Sequence, residues 1–239
     1  MSRAGDCATI TGMWLARLST AVSGLIDLVL PQHCVGCELE GAIWCVECAG
    51  RLGGLHRVRR PLLAGAPPVY ALGAYRGTAR RAVLAYKEAG RRELAAPLAR
   101  QLCTALRAIT AEQGPGDWWL VPAPSRAIAS RRRGGAHMSR IARRMATALT
   151  GPGPRACVAD CLVISPGAAD SAGLEPQQRV DNLAGRVLVR ADRLPPAGAR
   201  IVLLDDVVTT AATVASSVAA LGGAGREVTA VLVLTATAG

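Results

Sequence analysis

The chain has 239 residues, of which 51% are hydrophobic and 19% charged. That excludes a mainly disordered state and leaves room for one α/β domain of ordinary size plus a small module. The 28 basic residues outnumber the 17 acidic ones for a net charge of +11; this points to an anionic ligand, a nucleic acid or both, or to a plain compositional preference for arginine.

Residues 1–30 read as a leader helix, because Trp14, Leu18, Val22, Leu25 and Val29 recur at three- and four-residue steps. The apolar stretch Met13–Leu30 is interrupted by Arg17 and Asp27, so it does not meet the roughly 20 uncharged residues of a membrane span, and it lacks the pattern of a secretory signal. Residues 31–53 follow as a module with two C-x-x-C pairs, Cys34/Cys37 and Cys45/Cys48. Each pair lets two sulfurs face one ion from a tight turn, and two pairs supply four thiolates for tetrahedral zinc. Four sulfur ligands leave no open position, so the zinc is expected to be structural. A disulfide pair is the alternative, and free thiols fit a reducing cytoplasm, the expected location. His33 is expected to be an exposed neighbour of the cluster.

Residues 54–68, with three prolines beside Arg57, Arg59 and Arg60, read as a linker. From Val69 onward, residues 69–239 alternate between strand and helix patterns. Strands are expected at Val69–Tyr75, Trp118–Val121, Cys157–Ile164, Val187–Arg190, Arg200–Leu204 and Val228–Thr235. Helices are expected at Thr78–Lys87, along the stripe Leu94, Leu98, Leu102, Leu106 and Ile109, along Met138, Ile141, Met145 and Leu149, at Gln177–Leu183 and at Ala212–Leu221. Such alternation implies a mostly parallel sheet flanked by helices.

The chemistry concentrates in residues 200–221, RIVLLDDVVTTAATVASSVAAL. An apolar strand runs into Asp205 and Asp206, then a threonine-rich turn, then a helix. Ligands of parallel α/β sheets sit at the carboxyl ends of strands. Two carboxylates there can accept hydrogen bonds from vicinal hydroxyls, while the turn and helix start offer N–H groups to a phosphate. Together these parts describe a sugar-phosphate site. The segment has neither a Walker A loop nor a dinucleotide fingerprint.

This run resembles the phosphoribosyl-pyrophosphate (PRPP) motif of type I phosphoribosyltransferases, and with the four cysteines in front of it the chain resembles the ComF family. Residues 74–90 (AYRGTARRAVLAYKEAG), 120–142 (LVPAPSRAIASRRRGGAHMSRIA) and 171–189 (SAGLEPQQRVDNLAGRVLV) carry the rest of the likeness. The resemblance covers about residues 30–236. It implies a type I phosphoribosyltransferase-like fold behind a zinc ribbon. Asp205 and Asp206 would hold the ribose hydroxyls, directly or through Mg²⁺ bound with PRPP. Val207, Val208, Thr209, Thr210, Ala211, Ala212 and Thr213 would form the 5′-phosphate loop, and Pro122-Ala123-Pro124 the pyrophosphate loop. Arg126, Arg131, Arg132 and Arg133 would neutralise the pyrophosphate, or form a solvated or nucleic-acid-binding face. Lys87 is either a ligand of the site or a surface residue. His137 is weighed for acid–base work and set aside as structural. The family also implies a link to DNA uptake or repair, with single-stranded DNA and DNA-processing proteins as partners. Transfer of the ribosyl phosphate is one expected activity; a non-catalytic accessory protein that binds single-stranded DNA or senses PRPP is the alternative. Three positions depart from the family pattern. Ala211 stands where Gly is usual, Arg133-Gly134-Gly135-Ala136-His137 replaces Arg-Gly-Phe-Asn-Gln, and Ser171 stands where many members have Gln.

Overall fold

The computed structural model describes residues 32–111, 116–125, 136–149, 155–165 and 186–238. The leader segment, Gln177–Leu183, Ser171 and the arginines at 126 and 131–133 lie outside the described residues.

The sequence alternates strands that are apolar throughout with helices that are apolar along one stripe. The result is a six-stranded sheet covered on both faces. Its strands are β1 (His56–Arg57), β2 (Val69–Ala74), β3 (Asp117–Pro122), β4 (Arg155–Val158), β7 (Arg200–Val208) and β8 (Val228–Ala236), in the order β1-β2-β8-β7-β3-β4. All neighbours pair in parallel except β1, which runs antiparallel to β2 at the edge. A separate antiparallel pair joins β5 (Leu162–Ile164) to β6 (Val187–Val189). The helices are α1 (Val46–Gly50), α2 (Gly77–Lys87), α3 (Ala95–Thr110), α4 (His137–Ala148) and α5 (Ala212–Gly223). No described helix is long and apolar enough to cross a membrane.

The pleat sorts the core into two layers, since successive side chains leave opposite faces of a strand. Val202 and Leu204 of β7 join Leu120, Leu232 and Leu234 beneath α2, α3 and α4. Ile201 and Leu203 join Val121, Val231 and Val233 beneath α5. The expected stripes supply the cover: Leu94, Leu98, Leu102 and Leu106 are buried, as are Met138, Ile141, Met145 and Leu149.

Three expectations meet a different structure. Cys157–Ile164 is not one strand. It divides into β4 and β5, which belong to different sheets, because Asp160 interrupts the run and turns to α4, where Ser139 and Arg143 donate to its carboxylate. The segment read as a linker holds β1, and its Val58 and Leu63 are buried in the second core layer. Strand β7 does not stop at Leu204. It continues through Val208, so both aspartates lie inside the strand rather than after it.

Candidate functional site

The cysteine module is built by close approach. Cys34, Cys45 and Cys48 are buried and Cys37 is exposed. All four sulfurs lie within 4.8 Å of one another, and the Cys37–Cys45 pair is 3.6 Å apart. Four sulfurs held about 2.3 Å from one zinc ion stand about 3.8 Å apart in a tetrahedron, so the cluster is close enough to hold a metal and is compatible with structural zinc. Backbone N–H groups of Gly36 and Cys45 point at Cys34 Sγ from 3.4 Å. Burial raises the Cys34 thiol, but the N–H groups of Cys45, Cys37 and Gly36 outweigh it and bring its pKa down to about 6. Cys48 is driven far above its ordinary range by burial and by the other three cysteines. Four thiolates therefore need a cation between them. Gly36 leaves the space: a Cβ there would meet Cys48 Sγ at 2.6 Å and Trp44 at 2.9 Å. His33 is exposed and turns its Nδ1 to the Glu38 carbonyl.

The module rests on the sheet and on α2. Leu52 and Cys48 share the first core layer with Ala82 and Val83, and Arg81 donates to the Gly36 carbonyl. Gly73 of β2 admits the contact, since a Cβ there would lie 2.5 Å from the Arg51 carbonyl oxygen.

The second cluster lies at the carboxyl ends of β3 and β7, which are neighbours in the sheet. Alternation along β7 sends Asp206 to the same face as Val202 and Leu204, and Asp205 to the opposite one. Both are buried. On its face Asp206 meets the end of α2 and the start of α4. Lys87 Nζ lies 2.9 Å from Asp206 Oδ2, and His137 Nε2 lies 2.6 Å from the same oxygen. Tyr86 fixes this corner: its hydroxyl donates to the His137 carbonyl at 2.7 Å, and the two rings meet edge to face. Ser125, just beyond β3, lies 3.5 Å from His137 Nδ1. Asp205 folds back on the chain and accepts from the Asp206 N–H at 2.8 Å.

The electrostatics separate the two acids. Burial raises Asp206, but the hydrogen bond from His137 and the charge of Lys87 outweigh it and hold its pKa well below the usual carboxylate range. Asp205 is pushed up to about 7, by burial first and by the neighbouring Asp206 charge second, against the pull of Lys87. Burial lowers Lys87, but Asp206 more than restores it and keeps it protonated. One carboxylate is thus a fixed anion, and the other is poised to change charge near neutral pH.

The other expected residues fall around this corner. Val207 and Val208 complete β7, and the Val208 carbonyl accepts from the Thr237 N–H at 3.0 Å. Thr209, Thr210 and Ala211 form the turn, and Ala212 and Thr213 open α5. Ala211 has φ 71° and ψ 9°, the left-handed conformation. This is the backbone that a glycine adopts without cost and that an alanine adopts at roughly 1–2 kcal/mol. Ala123 donates its N–H to the Leu204 carbonyl at 2.7 Å, which holds the turn after β3 against β7. Arg60 braces the loop by donating from Nε to the Thr209 carbonyl at 3.2 Å, and it also donates to the Thr237 carbonyl. Sequence reasoning named Lys87 with two roles and set His137 aside; both lie on Asp206. In the sequence Arg60 belongs to a linker-like segment, and no local signal connects it to a loop 149 residues away.

As hard oxygen donors, the carboxylates suit Mg²⁺ in type. Asp206 Oδ2, however, already serves Lys87 and His137. No protein-family model matches this chain, and no curated protein matches it.

Proposed function

We propose that the carboxyl end of β7 is a PRPP site and that the protein is a phosphoribosyltransferase-like protein of the ComF type. One observation carries the reading: a buried acidic pair on a central parallel strand leads directly through a left-handed turn into the start of α5. In this reading the N–H groups of residues 209–213 hold the 5′-phosphate at the helix start, where the peptide dipoles favour an anion. The Pro122–Pro124 turn receives the pyrophosphate, and Mg²⁺ arrives with that group. Asp205 and Asp206 hold the ribose hydroxyls. In transfer the C1–oxygen bond to pyrophosphate breaks and its electron pair leaves with the pyrophosphate, while the acceptor nucleophile bonds to C1. The protein's contribution is to position the reactants and to stabilise the leaving anion, and Lys87 supplies a fixed positive charge beside the sugar. The fold in this reading is the type I phosphoribosyltransferase fold, with the cysteine cluster as a zinc ribbon.

Calorimetric titration of the zinc-loaded protein with PRPP tests this. The expected result is Mg²⁺-dependent binding that is lost in Asp205→Asn/Asp206→Asn, a variant that keeps the size of both side chains while removing their charge. Unchanged affinity in that variant contradicts the assignment.

A second reading is binding without transfer, as a PRPP sensor or an accessory of single-stranded DNA handling. It draws support from Asp206, whose charge is already satisfied within the protein. An acceptor screen with release of pyrophosphate as the readout separates the two. Turnover supports transfer, whereas tight binding without pyrophosphate release supports the sensor. DNA binding that falls steeply with salt would support the DNA-handling form.

A further inference from the structure

The segment Arg57–Val69 lines an open groove of about 240 Å³ whose walls include neither a cysteine of the module nor a residue of the Asp205–Asp206 corner. Arg57, Arg59 and Arg60 supply its charge, and Leu63, Pro67 and Pro68 are among its apolar walls. No carboxylate lines it. The imbalance extends along the chain, since residues 48–87 hold eight Arg or Lys and no Asp or Glu. Arg57 and Arg59 are exposed and enter no ion pair among the described residues. Arg60 differs from them, because it donates to the carbonyls of Arg59, Thr209 and Thr237 and so acts as a fixed wall.

Two unpaired guanidinium groups present the forked donors that match a phosphate. The adjoining proline and leucine surfaces suit a flat ring. The volume sets the size, since pockets for drug-sized ligands run to roughly 300–1,000 Å³ and this one is smaller. We propose that the groove binds a nucleoside monophosphate, with its phosphate on Arg57 and Arg59 and its base against Leu63, Pro67 and Pro68. This site is separate from the PRPP site proposed above and stands or falls without it.

The test is calorimetric titration of the full zinc-loaded chain with uridine 5′-monophosphate at low salt. It uses the wild type, Arg57→Ala/Arg59→Ala and Asp205→Asn/Asp206→Asn. Arg60 is left intact because it braces Thr209. The expected result is saturable binding that weakens at least tenfold in the arginine variant and is unchanged in the aspartate variant. Inorganic phosphate should bind more weakly than the nucleotide. The proposal is overturned by equal affinity in the wild type and the arginine variant, by dependence on the aspartates instead, or by absence of binding. Equal affinity for inorganic phosphate would overturn the base subsite. An oligonucleotide that needs Arg57 and Arg59 when the monophosphate does not bind would make the groove part of a nucleic-acid path and overturn the small-ligand reading. Failure of PRPP to bind contradicts the proposed function alone.

Discussion

The cysteine cluster and the Asp206 corner are both convergent sets of chemically active side chains, yet they are assembled in opposite ways. The four cysteines stand between positions 34 and 48, and a tight turn after Cys34 together with the start of α1 brings their sulfurs together within one short segment. Asp206 gathers Lys87 from the end of α2 and His137 from the start of α4, the latter 69 residues away. Burial and mutual proximity oppose four thiolates in the first cluster, so it can carry that charge only around a cation. The second carries its own counter-charge in Lys87 and its own hydrogen-bond partner in His137, because the fold has placed them there. A local motif that lacks internal compensation asks for a metal; a distributed one that has it can stand without a ligand.

Removing the metal should have the largest effect. Binding of structural zinc is worth about 10–16 kcal/mol in small zinc modules, and residues 31–53 are too few to form a core alone. About one zinc per chain is expected by elemental analysis. Chelation or Cys48→Ser should expose the amides of residues 32–53 to hydrogen exchange, and the loss should reach α2 through the Arg81–Gly36 contact. Full protection after chelation would show that the two regions are more alike than their construction implies.

Asp206→Ala comes next. It leaves Lys87 and His137 beside a buried void without their anion, and breaking a buried pair in this way costs about 3–5 kcal/mol. Denaturant unfolding should show that loss, and Asp206→Asn, which removes the same charge while filling the space, should show most of it. A loss in Asp206→Asn far smaller than in Asp206→Ala would mean that the charge is not what holds the corner.

Asp205 provides a pH test of intermediate size. Its folded pKa of about 7 lies above its ordinary value of 3.8. The folded state therefore binds the extra proton between those two values, and stability contributed by this group falls as pH rises from about 4 to 7. Asp205→Asn should remove that fall and stabilise the protein at pH 8, by about 2 kcal/mol if coupling to Asp206 halves the effect of an isolated shift of this size. At pH 4 it should make little difference. A gain that is the same at both pH values would contradict the assignment. Asp206 has the opposite sign: its depressed pKa contributes stability above about pH 4 that is lost only in stronger acid.

The smallest effect is expected at Ala211. Ala211→Gly removes the strain of a left-handed alanine and should stabilise the fold by about 1 kcal/mol. A loss of stability there would mean that the alanine methyl packs better than its backbone is strained.

The same contrast explains what the sequence made legible. The cysteine spacing announced its chemistry because the ligands are near neighbours. The helical stripes at Leu94–Leu106 and Met138–Leu149 and the apolar strands were plain because burial imposes a period on the chain. The acid pair was visible as a pair, but its division was not. That depends on β7 running four residues beyond Leu204, so that the pleat separates Asp205 from Asp206. The role of His137 was hidden for a related reason: a single histidine at a helix start acquires its partner only when α4 packs beside β7. Cys157–Ile164 looked continuous because apolar content does not reveal a change of sheet, and the one signal was Asp160 in its middle. The arginines at 131–133, which the resemblance places on the pyrophosphate, lie outside the described residues.

The central claim is that the turn after β7 is built to hold a phosphate, and amide chemical shifts report on that turn directly. Isotope-labelled, zinc-loaded protein should be titrated with PRPP and Mg²⁺. The account predicts that the amides of Thr209, Thr210, Ala211, Ala212 and Thr213 move together and saturate, while those of Cys34–Cys48 stay in place. Saturating shifts elsewhere, with this turn unmoved, would contradict it.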